Sequence, residues 1–278
     1  MRKPDLFTKE EIEKHLSAKR LAGSVFFYDT TGSTNTDCKA YMEQEVSGSV
    51  LVAAANQNAG KGRRGRSWSS PENTSVSFSL GLIPPFDPDK ASMLTLVMAL
   101  AVSRALEELT GLKAGIKWPN DIVLDGKKVC GILTEMHLRD QKEPFVVIGV
   151  GINVSQTEFE PEIRQVATSL LSELQRHTKN ADDACPGRAK LTAACVNHFE
   201  TAYESFLTTC DLSALKEDYE GRMINKGREV RVLDPAGAYN GIAKGITDEG
   251  LLLVRGQNNE LTSVYAGEVS VRGVLGYV

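Results

Sequence analysis

The sequence predicts an α+β protein in which helices flank a sheet and a small β module follows at the C-terminal end. Residues 24–28, 50–54 and 75–80 each read as a strand, with helical segments among them. Residues 91–109 are apolar on most faces, which is typical of a helix buried against a sheet. After Gly227 the pattern changes to short strands separated by turns, a spacing that favours a small barrel.

Length and composition indicate one large core with a small appended module. The chain has 278 residues, a net charge of −4 and a pI of about 5.7, so it is not a polyanion binder as a whole. Its five cysteines form no CxxC pair, which favours a reduced, cytoplasmic protein. No secretory signal opens the chain, and the most apolar stretch, 91–102, is too short to span a bilayer. We therefore expect a cytoplasmic protein that does not bind membranes.

The N-terminal region reads as one helix followed by a strand. Thr8 and Glu11 form a capping box for the helix, and Gly23 can end it. The strand at 24–28 then runs into the motif Ser33-Thr34-Asn35, just before a helix expected over 37–45. Any one of the three motif residues can simply cap that helix. Their clustered hydroxyl and amide groups can also bind a neutral polar ligand.

A glycine-rich basic loop follows the strand at 50–54. Its sequence, Gly60-Lys61-Gly62-Arg63-Arg64-Gly65-Arg66, combines backbone freedom with four cations that suit phosphate, and Trp68 can stack on a flat heterocycle. This sequence is close to the dinucleotide-binding fingerprint and to the P-loop motif. Both motifs, however, require a helix that begins at the loop. Strand 75–80 follows instead, so both matches fail. A nucleotide site and a solvated basic or nucleic-acid-binding turn remain as alternatives.

A second polar cluster interrupts the strand expected at 115–124. Pro119 cannot donate to a central ladder, and Lys117, Asn120 and Asp121 surround it. This is either a surface kink or a site built at a bulge.

A hairpin turn then leads into an apolar strand. The turn is Asp125-Gly126, and the strand, 127–135, begins with Lys127 and Lys128. Alternation places these two lysines on opposite faces and does not choose between them. Glycines of the next strand, which ends near Asn153, permit close approach of another backbone or of a ligand.

The remaining chain predicts two helices and the β module. The helices are expected over 161–174 and 188–208. Cys195 and His198 of the second have a spacing compatible with a metal, but without further paired ligands we interpret them as a packed helical face. The short strands are expected at 229–233, 239–245, 251–255, 261–266 and 269–272.

Several of these segments together resemble the signatures of the biotin protein ligases. They are Ser33-Thr34-Asn35, Gly60 to Trp68, Lys117-Trp118-Pro119-Asn120-Asp121, Gly126 to Leu133, and Gly149-Val150-Gly151-Ile152-Asn153. Coverage runs from about Ser24 to the C-terminus. Lys61 departs from the pattern, since many members carry Arg there. The resemblance implies a mixed sheet of the class II aminoacyl-tRNA-synthetase-like type over 1–224, including an N-terminal helical extension over 1–23, and an SH3-like barrel over 225–278.

The resemblance also implies an activity and a set of site residues. An ATP- and Mg²⁺-dependent ligase of this family joins biotin to AMP and then transfers it to a lysine of a biotin carboxyl carrier protein. The implied catalytic residues are Lys128, Arg63 and Asp121, of which Asp121 would accept the proton of the incoming lysine amine. Biotin would contact Ser33, Thr34, Asn35, Gln57, Lys61, Gly62, Arg63 and Lys128. ATP would contact Arg63, Arg64, Arg66, Trp68, Lys117, Asn120 and Asn153. No residue is assigned as a metal ligand.

Two related functions are weighed against this one. Lipoate ligases share the architecture, but their glycine-rich, histidine-containing motif is not found here. Some family members are also biotin-responsive DNA-binding repressors, which requires a winged-helix domain of about sixty residues ahead of Ser24. Only some twenty residues precede Ser24, so we expect a monofunctional ligase without specific DNA binding. The module serves either packing or ligand contact, and a homodimer, common in the family, stays open.

Overall fold

The computed structural model describes residues 5–21, 23–44, 48–234, 237–266 and 270–273. Within them the helices are α1 (Lys9–His15), α2 (Thr34–Glu43), α3 (Leu94–Thr110), α4 (Leu170–His177), α5 (Ala181–Ala184), α6 (Arg188–Thr209) and α7 (Lys216–Arg222). The strands up to the end of the large sheet are β1 (Ser24–Thr31), β2 (Val50–Gln57), β3 (Gly60–Lys61), β4 (Ser67–Trp68), β5 (Ser75–Leu82), β6 (Gly115–Lys117), β7 (Asp121–Leu124), β8 (Lys127–Arg139) and β9 (Glu143–Asn153).

The large sheet is mixed, as expected. Its strand order is β1-β2-β5-β9-β8-β7-β6. The β1–β2 pair is parallel because α2 carries the chain back across the sheet between them, and the other neighbours are antiparallel. The small β3–β4 hairpin stands apart from this sheet.

Helices cover both faces of the sheet. Alternation along β2 sends Val50 and Val52 into a core cluster with Cys38 and Met42 of α2, while Leu51 packs into the larger cluster on the other face. That larger cluster is built on α3, which contacts β8, and α6, which contacts β5. The prediction that residues 91–109 form a buried helix is confirmed, although its first part, Pro88–Met93, is a 3₁₀ turn.

Several element boundaries differ from the sequence-based predictions. α1 ends at His15, well before Gly23, because Leu16 leaves the helical conformation. α2 begins three residues earlier than expected, at Thr34. The expected end of α2 at Glu45 lies outside the described residues.

Two segments have a different structure from the one expected. Residues 115–124 are not one interrupted strand but the antiparallel hairpin β6–β7, which reverses at the cis peptide Trp118–Pro119. The helix expected over 161–174 is also wrong, since α4 starts only at Leu170, where Ser169 caps it. A bulge is present, but it lies between β7 and β8, close to Lys128.

The C-terminal module is a five-stranded antiparallel sheet. Its strands are β10 (Glu229–Asp234), β11 (Gly237–Ile246), β12 (Leu252–Arg255), β13 (Leu261–Val264) and β14 (Ser270–Gly273), in the order β13-β12-β11-β10-β14. The expected start of the last strand at Val269 lies outside the described residues. A small antiparallel β module after Gly227 is therefore confirmed.

The module packs directly against the larger part of the protein. The Trp118 indole N–H donates to the carbonyl of Gly250 at 3.0 Å, and its backbone N–H donates to Asn225 Oδ1 at 2.8 Å. Trp118 thus ties the β6–β7 turn to the module. Among the described residues, no helix is long and apolar enough to cross a membrane.

Candidate active site

A cleft opens beside the N-terminus of α2, above β8 and β9, with about 460 Å³ of empty space that is partly open to solvent. Its lining includes most of the predicted site residues: Ser33, Thr34, Asn35, Gln57, Lys61, Gly62, Arg63, Trp68, Asn120 and Lys128. The other lining residues belong to the signature segments but were not predicted as site residues: Gly131, Ile132, Leu133, Gly149, Val150 and Gly151. Segments far apart in sequence therefore meet at one site.

One end of the cleft is polar and uncharged. Ser33, Thr34 and Asn35 are buried there at the start of α2. Ser33 is the N-cap residue, yet its side chain makes no capping hydrogen bond within the described helix. Gln57, at the end of β2, accepts hydrogen bonds at Oε1 from the Thr34 backbone N–H at 2.8 Å and the Thr34 hydroxyl at 3.0 Å. The motif residues therefore do more than cap a helix.

Three further polar residues support this end of the cleft. The Ser79 hydroxyl lies 2.8 Å from Thr34 Oγ1 and 2.6 Å from Asn35 Oδ1. The Asn35 amide donates to Glu135 Oε2 at 2.6 Å. Gln57 Nε2 donates to the Ser77 hydroxyl at 3.2 Å. Serine alternates with apolar residues along β5, a pattern typical of a strand with one exposed face, yet all eight of its residues are buried.

The glycine-rich basic loop forms the hairpin β3–β4 beside the cleft. Gly60 pairs with Trp68, and a Cβ at Gly60 would stand 2.4 Å from the Trp68 carbonyl oxygen, so a glycine is needed there. Arg64 and Gly65 both adopt positive φ at the tip, which reverses the chain. The Gly62 N–H then donates to the Arg66 carbonyl at 2.7 Å.

Arg63 turns from this hairpin towards the cleft and contacts both parts of the protein. Its Nη1 donates to Asn120 Oδ1 at 2.8 Å, and its Nη2 donates to the carbonyl of Ala266 in the C-terminal module. Burial lowers the pKa of the Arg63 guanidinium, and although Asp121 opposes this, Arg64 and Arg66 lower it further. The group still carries its charge at neutral pH.

Lys128 is the other cation of the cleft. Its Nζ lies 2.6 Å from Asp121 Oδ1 and 5.8 Å from the centre of the Trp68 ring. The backbone of Lys128 is also held by a loop, since its N–H donates to Val166 at 2.7 Å and its carbonyl accepts from Thr168 at 2.9 Å. Of the two adjacent lysines, only Lys128 is part of the cleft lining that the described residues form.

Glycines of β8 and β9 make room for the side chains above them. A Cβ at Gly151 would lie 2.5 Å from Trp68 Cε2, and one at Gly131 would lie 3.2 Å from Trp68 Cζ3. The indole therefore lies against the floor of the cleft. Its buried Nε1–H has no acceptor among the described residues, so a ligand or water can satisfy it.

The other predicted site residues lie outside the lining that the described residues form. Asp121 contacts Lys128 from the side, and Arg64 and Arg66 are exposed near the hairpin tip. Lys117 is buried opposite Asp121, and Asn153 Nδ2 donates to the Thr168 carbonyl at 3.0 Å. Their roles remain predictions.

Cys195 and His198 do not form a common site. Cys195 is fully buried in the core, where burial raises the pKa of its thiol. His198 Nε2 lies 2.6 Å from Glu108 Oε2 on the protein surface. The interpretation of this helix as a packed face agrees with these positions.

Comparisons with known proteins agree with the geometry. Residues 27–153 match the model of the Biotin/lipoate A/B protein ligase family, and residues 227–272 match that of the Biotin protein ligase C terminal domain. The chain is 33% identical to the Bifunctional ligase/repressor BirA of Bacillus subtilis, over 98% of this chain and 81% of the relative. It is 34% identical to the Biotin--[acetyl-CoA-carboxylase] ligase of Mycobacterium tuberculosis, over 80% of this chain and 79% of the relative.

A solved structure shows the same fold. The biotin protein ligase from Aquifex aeolicus in complex with biotin and ATP superposes with a TM-score of 0.77 and 29% identity. The match covers 90% of this chain and 99% of the Aquifex chain. The similarity therefore includes both the large sheet and the C-terminal module.

Proposed function

Because this chain belongs to the biotin/lipoate A/B protein ligase family, we propose that its cleft joins biotin to ATP and that the residues named above carry the reaction. The protein is a biotin protein ligase: it activates biotin as biotinyl-5′-AMP and transfers the biotinyl group to a lysine of a biotin carboxyl carrier domain. One observation carries the assignment of residues. A neutral polar end and a cationic end, holding Lys128 and Arg63, lie in the same cleft.

The cationic end addresses the electrostatic problem of the first step. The carboxylate of biotin must approach the α-phosphate of ATP, and the two anions repel each other. Asp121 holds the Lys128 ammonium, and Asn120 and the C-terminal module hold the Arg63 guanidinium when the basic hairpin lies against the cleft. Such preorganised charges stabilise the developing negative charge without reorganising during the reaction.

Magnesium fits the same region of the cleft. Asn120 lines it, and its amide oxygen, which accepts from Arg63, is a hard donor of the kind that Mg²⁺ prefers, whereas Asp121 Oδ1 is paired with Lys128. When bound, the ion would supply further positive charge at the phosphate oxygens.

The neutral end suits the ureido head of biotin. A ureido group offers one carbonyl acceptor and two N–H donors, so its site needs both donors and acceptors. Ser33, Thr34, Asn35 and Gln57 supply hydroxyl and amide groups of both kinds. Lys61 and Gly62 of the hairpin also line the cleft, and we propose that they close over the bound biotin.

The nucleotide is assigned to the Trp68 side of the cleft. The indole can stack on adenine, and its buried N–H is available to an acceptor. Arg64, Arg66, Lys117 and Asn153 lie outside the described lining, and we propose that they contact ATP as the family resemblance implies.

We divide the chain into a catalytic domain over 1–224 and an SH3-like barrel over 225–278. The contacts from Trp118 and Arg63 to the module support a role for it in the active site as well as in packing. The proposed acceptor is the carrier protein of acetyl-CoA carboxylase or of a related biotin-dependent carboxylase. We also propose a homodimer, which is common in the family. A cytoplasmic location is proposed from the cysteine usage.

Repressor activity is the second candidate, because the Bacillus subtilis relative is described as a bifunctional ligase/repressor. We propose that this protein does not bind specific DNA, since its net charge is −4 and Arg63 of the basic loop is turned into the cleft. A footprint on a biotin-gene promoter at about 150 mM salt, enhanced by biotinyl-AMP, would contradict this.

Mass spectrometry tests the main proposal. The purified protein is incubated with biotin and MgATP, and biotinyl-AMP should appear in the wild type but not in Lys128→Ala. Addition of a carrier domain should then yield a product heavier by one biotin. A parallel incubation with lipoate separates the two branches of the family, and formation of lipoyl-AMP in place of biotinyl-AMP would overturn the assignment.

A further inference from the structure

We infer that Glu135 is a positioning residue for the neutral end of the cleft, where its carboxylate fixes the orientation of the Asn35 amide. Glu135 lies on β8 behind Asn35 and is not part of the cleft lining formed by the described residues. The inference rests on the proposed function, because it concerns how this site selects an uncharged polar head group such as the ureido group of biotin.

Asn35 is tightly enclosed at this position. It is only 5% exposed, and a Cβ at Gly149 would stand 1.9 Å from its Oδ1 atom. The amide therefore packs on the sheet at Gly149, one of the two glycines of β9. On its far side, Nδ2 lies 2.6 Å from Glu135 Oε2, and Oδ1 lies 2.6 Å from the Ser79 hydroxyl.

The carboxylate decides which way this amide points. An ionised carboxylate only accepts hydrogen bonds, whereas an amide has one face that donates and one that accepts. With Nδ2 towards Glu135, both contacts of the Asn35 amide are satisfied. Rotation of the amide by half a turn would set two acceptor oxygens against each other at that short distance. Glu135 thus excludes the rotated form.

Hydroxyl hydrogens explain why this orientation affects the whole cluster. Ser79 and Thr34 make three contacts, to Asn35 Oδ1, to each other and to Gln57 Oε1, but share only two hydroxyl hydrogens. With Oδ1 turned towards Ser79, the Ser79 hydrogen is donated to Asn35. Gln57 Oε1 is already satisfied by the Thr34 backbone N–H, so only the Thr34 hydroxyl is free to adjust.

The positions of hydrogen-bond donors and acceptors at this end of the cleft are therefore fixed. A backbone N–H orients the Gln57 amide and a carboxylate orients the Asn35 amide, and neither partner can exchange its role as donor or acceptor. Each amide keeps one N–H beyond these contacts for a ligand. If Glu135 is removed, Asn35 can present its carbonyl oxygen instead, which would repel a ligand carbonyl.

Calorimetric biotin binding and steady-state kinetics of variants test this. Glu135→Ala should raise the Kd and the KM for biotin about tenfold or more, the range for losing a charge-assisted hydrogen bond, while kcat stays within about threefold. Glu135→Gln keeps an acceptor oxygen and should stay within about threefold of the wild-type Kd. Glu143→Gln, at the exposed start of β9, is the matched control and should bind biotin as the wild type does.

A swap of donor and acceptor separates positioning from a general structural role. Asn35→Asp alone sets two carboxylates against each other and should bind biotin poorly. Adding Glu135→Gln to it restores a donor–acceptor pair at nearly constant volume, so the melting temperature should recover while the Kd stays high, because the new carboxylate has no N–H for the ligand. In an Asn35→Ala background, Glu135→Ala should have no further effect on Kd.

Three results would overturn the inference. They are a wild-type Kd in Glu135→Ala, an equal effect of Glu135→Ala with and without Asn35, and no recovery of the melting temperature in the swapped double variant. The swapped variant conserves volume and decides the matter if Glu135→Ala does not fold. Failure of the wild-type protein to bind biotin would instead contradict the proposed function.

Discussion

The ammonium of Lys128 and the carboxylate of Asp121 form an ion pair beside the cleft, with 2.6 Å between Nζ and Oδ1. Asp121 begins β7 and Lys128 follows the β7–β8 turn, so the hairpin and its bulge bring the two together. Lys128 lines the cleft and Asp121 stands to its side. The carboxylate therefore holds the ammonium where the anions of the substrates would meet, in addition to its predicted role as proton acceptor for the incoming lysine.

We expect Asp121→Asn to slow both half-reactions. The amide keeps an acceptor oxygen but loses the charge that holds Lys128, so pyrophosphate exchange should fall by at least about tenfold. Transfer from preformed biotinyl-AMP to a carrier domain, measured separately, should fall as well. Loss of a general base lowers a rate by about 10²–10⁴. If only the transfer rate falls by such a factor, Asp121 acts as a proton acceptor and not through Lys128.

Lys128→Ala should abolish adenylate formation while biotin still binds. Loss of a preorganised charge costs about 10²–10³ in rate, because the ammonium matters most as charge shifts between carboxylate and phosphate. Pyrophosphate exchange measures the step, and calorimetry measures biotin binding. Lys127→Ala is the control and should leave pyrophosphate exchange and biotin binding nearly unchanged. An exchange rate within tenfold of the wild type would remove Lys128 from the catalytic residues.

The elements that the sequence predicted best are those with a strong local signal. The Asp125-Gly126 turn has positive φ at both residues, and the long helix α6 spans 188–209, close to the expected 188–208. The helix expected over 161–174 failed because only its last part has an apolar face to bury. The reversal at Trp118–Pro119 was missed because β6 is only three residues long, too short for a periodicity to show.

The site residues that were missed have no local signature. Ser77 and Ser79 read as the polar face of an exposed strand, but α2 covers that face and turns it into the wall of a cleft. Glu135 and Asn35 are a hundred residues apart in sequence, and only the sheet brings them together. Motifs can indicate which residues touch a ligand, whereas the residues that orient them depend on tertiary packing.

Gly151→Ala should weaken ATP binding more than biotin binding. The added Cβ would lie 2.5 Å from the Trp68 ring, so the indole must move from the floor of the cleft. Overpacking of this kind predicts a rise in the KM for ATP of about tenfold. Gly221→Ala, in α7 with nothing within 4 Å of the added Cβ, is the control and should leave both KM values unchanged. An unchanged KM for ATP in Gly151→Ala would argue against the assignment of Trp68 to the nucleotide.

From the contacts of Glu220 we predict that the stability of the junction with the C-terminal module depends on pH. Its Oε1 accepts from the Ile246 N–H at 2.9 Å, and its Oε2 lies 2.6 Å from Lys226 Nζ. Burial raises the pKa of Glu220, but the bonds to Lys226 and Ile246 lower it by more, so the pKa lies below its ordinary value of 4.5. The contribution to stability is therefore present above that value and is lost as the pH falls below it through the folded-state pKa.

Thermal unfolding across this pH range measures the effect. Glu220→Gln should lower the melting temperature at neutral pH, and the difference from the wild type should shrink as the pH falls below 4.5. Glu217→Gln, an exposed residue of the same helix, should match the wild type throughout. A constant difference at every pH would show that the charge of Glu220 is not responsible.

The basic hairpin from Gly60 to Trp68 should become a lid when ligands bind. Its three glycines and four cations, with no apolar anchor before Trp68, give it little reason to stay ordered in the free protein. Biotinyl-AMP supplies a negative charge, and each charge-assisted hydrogen bond contributes about 1.5–3 kcal/mol, enough to offset the ordering of a few residues. A closed lid would also exclude water from the mixed anhydride.

Limited trypsin digestion tests this lid, because the hairpin contains four cleavage sites: Lys61, Arg63, Arg64 and Arg66. Cleavage there should be fast in the free protein and strongly suppressed by biotin plus ATP. Arg63→Gly removes the contacts to Asn120 and Ala266, so ligands should protect this variant less and biotinyl-AMP should escape from it faster. If the wild type is cut at the same rate with and without ligands, the hairpin is a rigid wall of the cleft and not a lid.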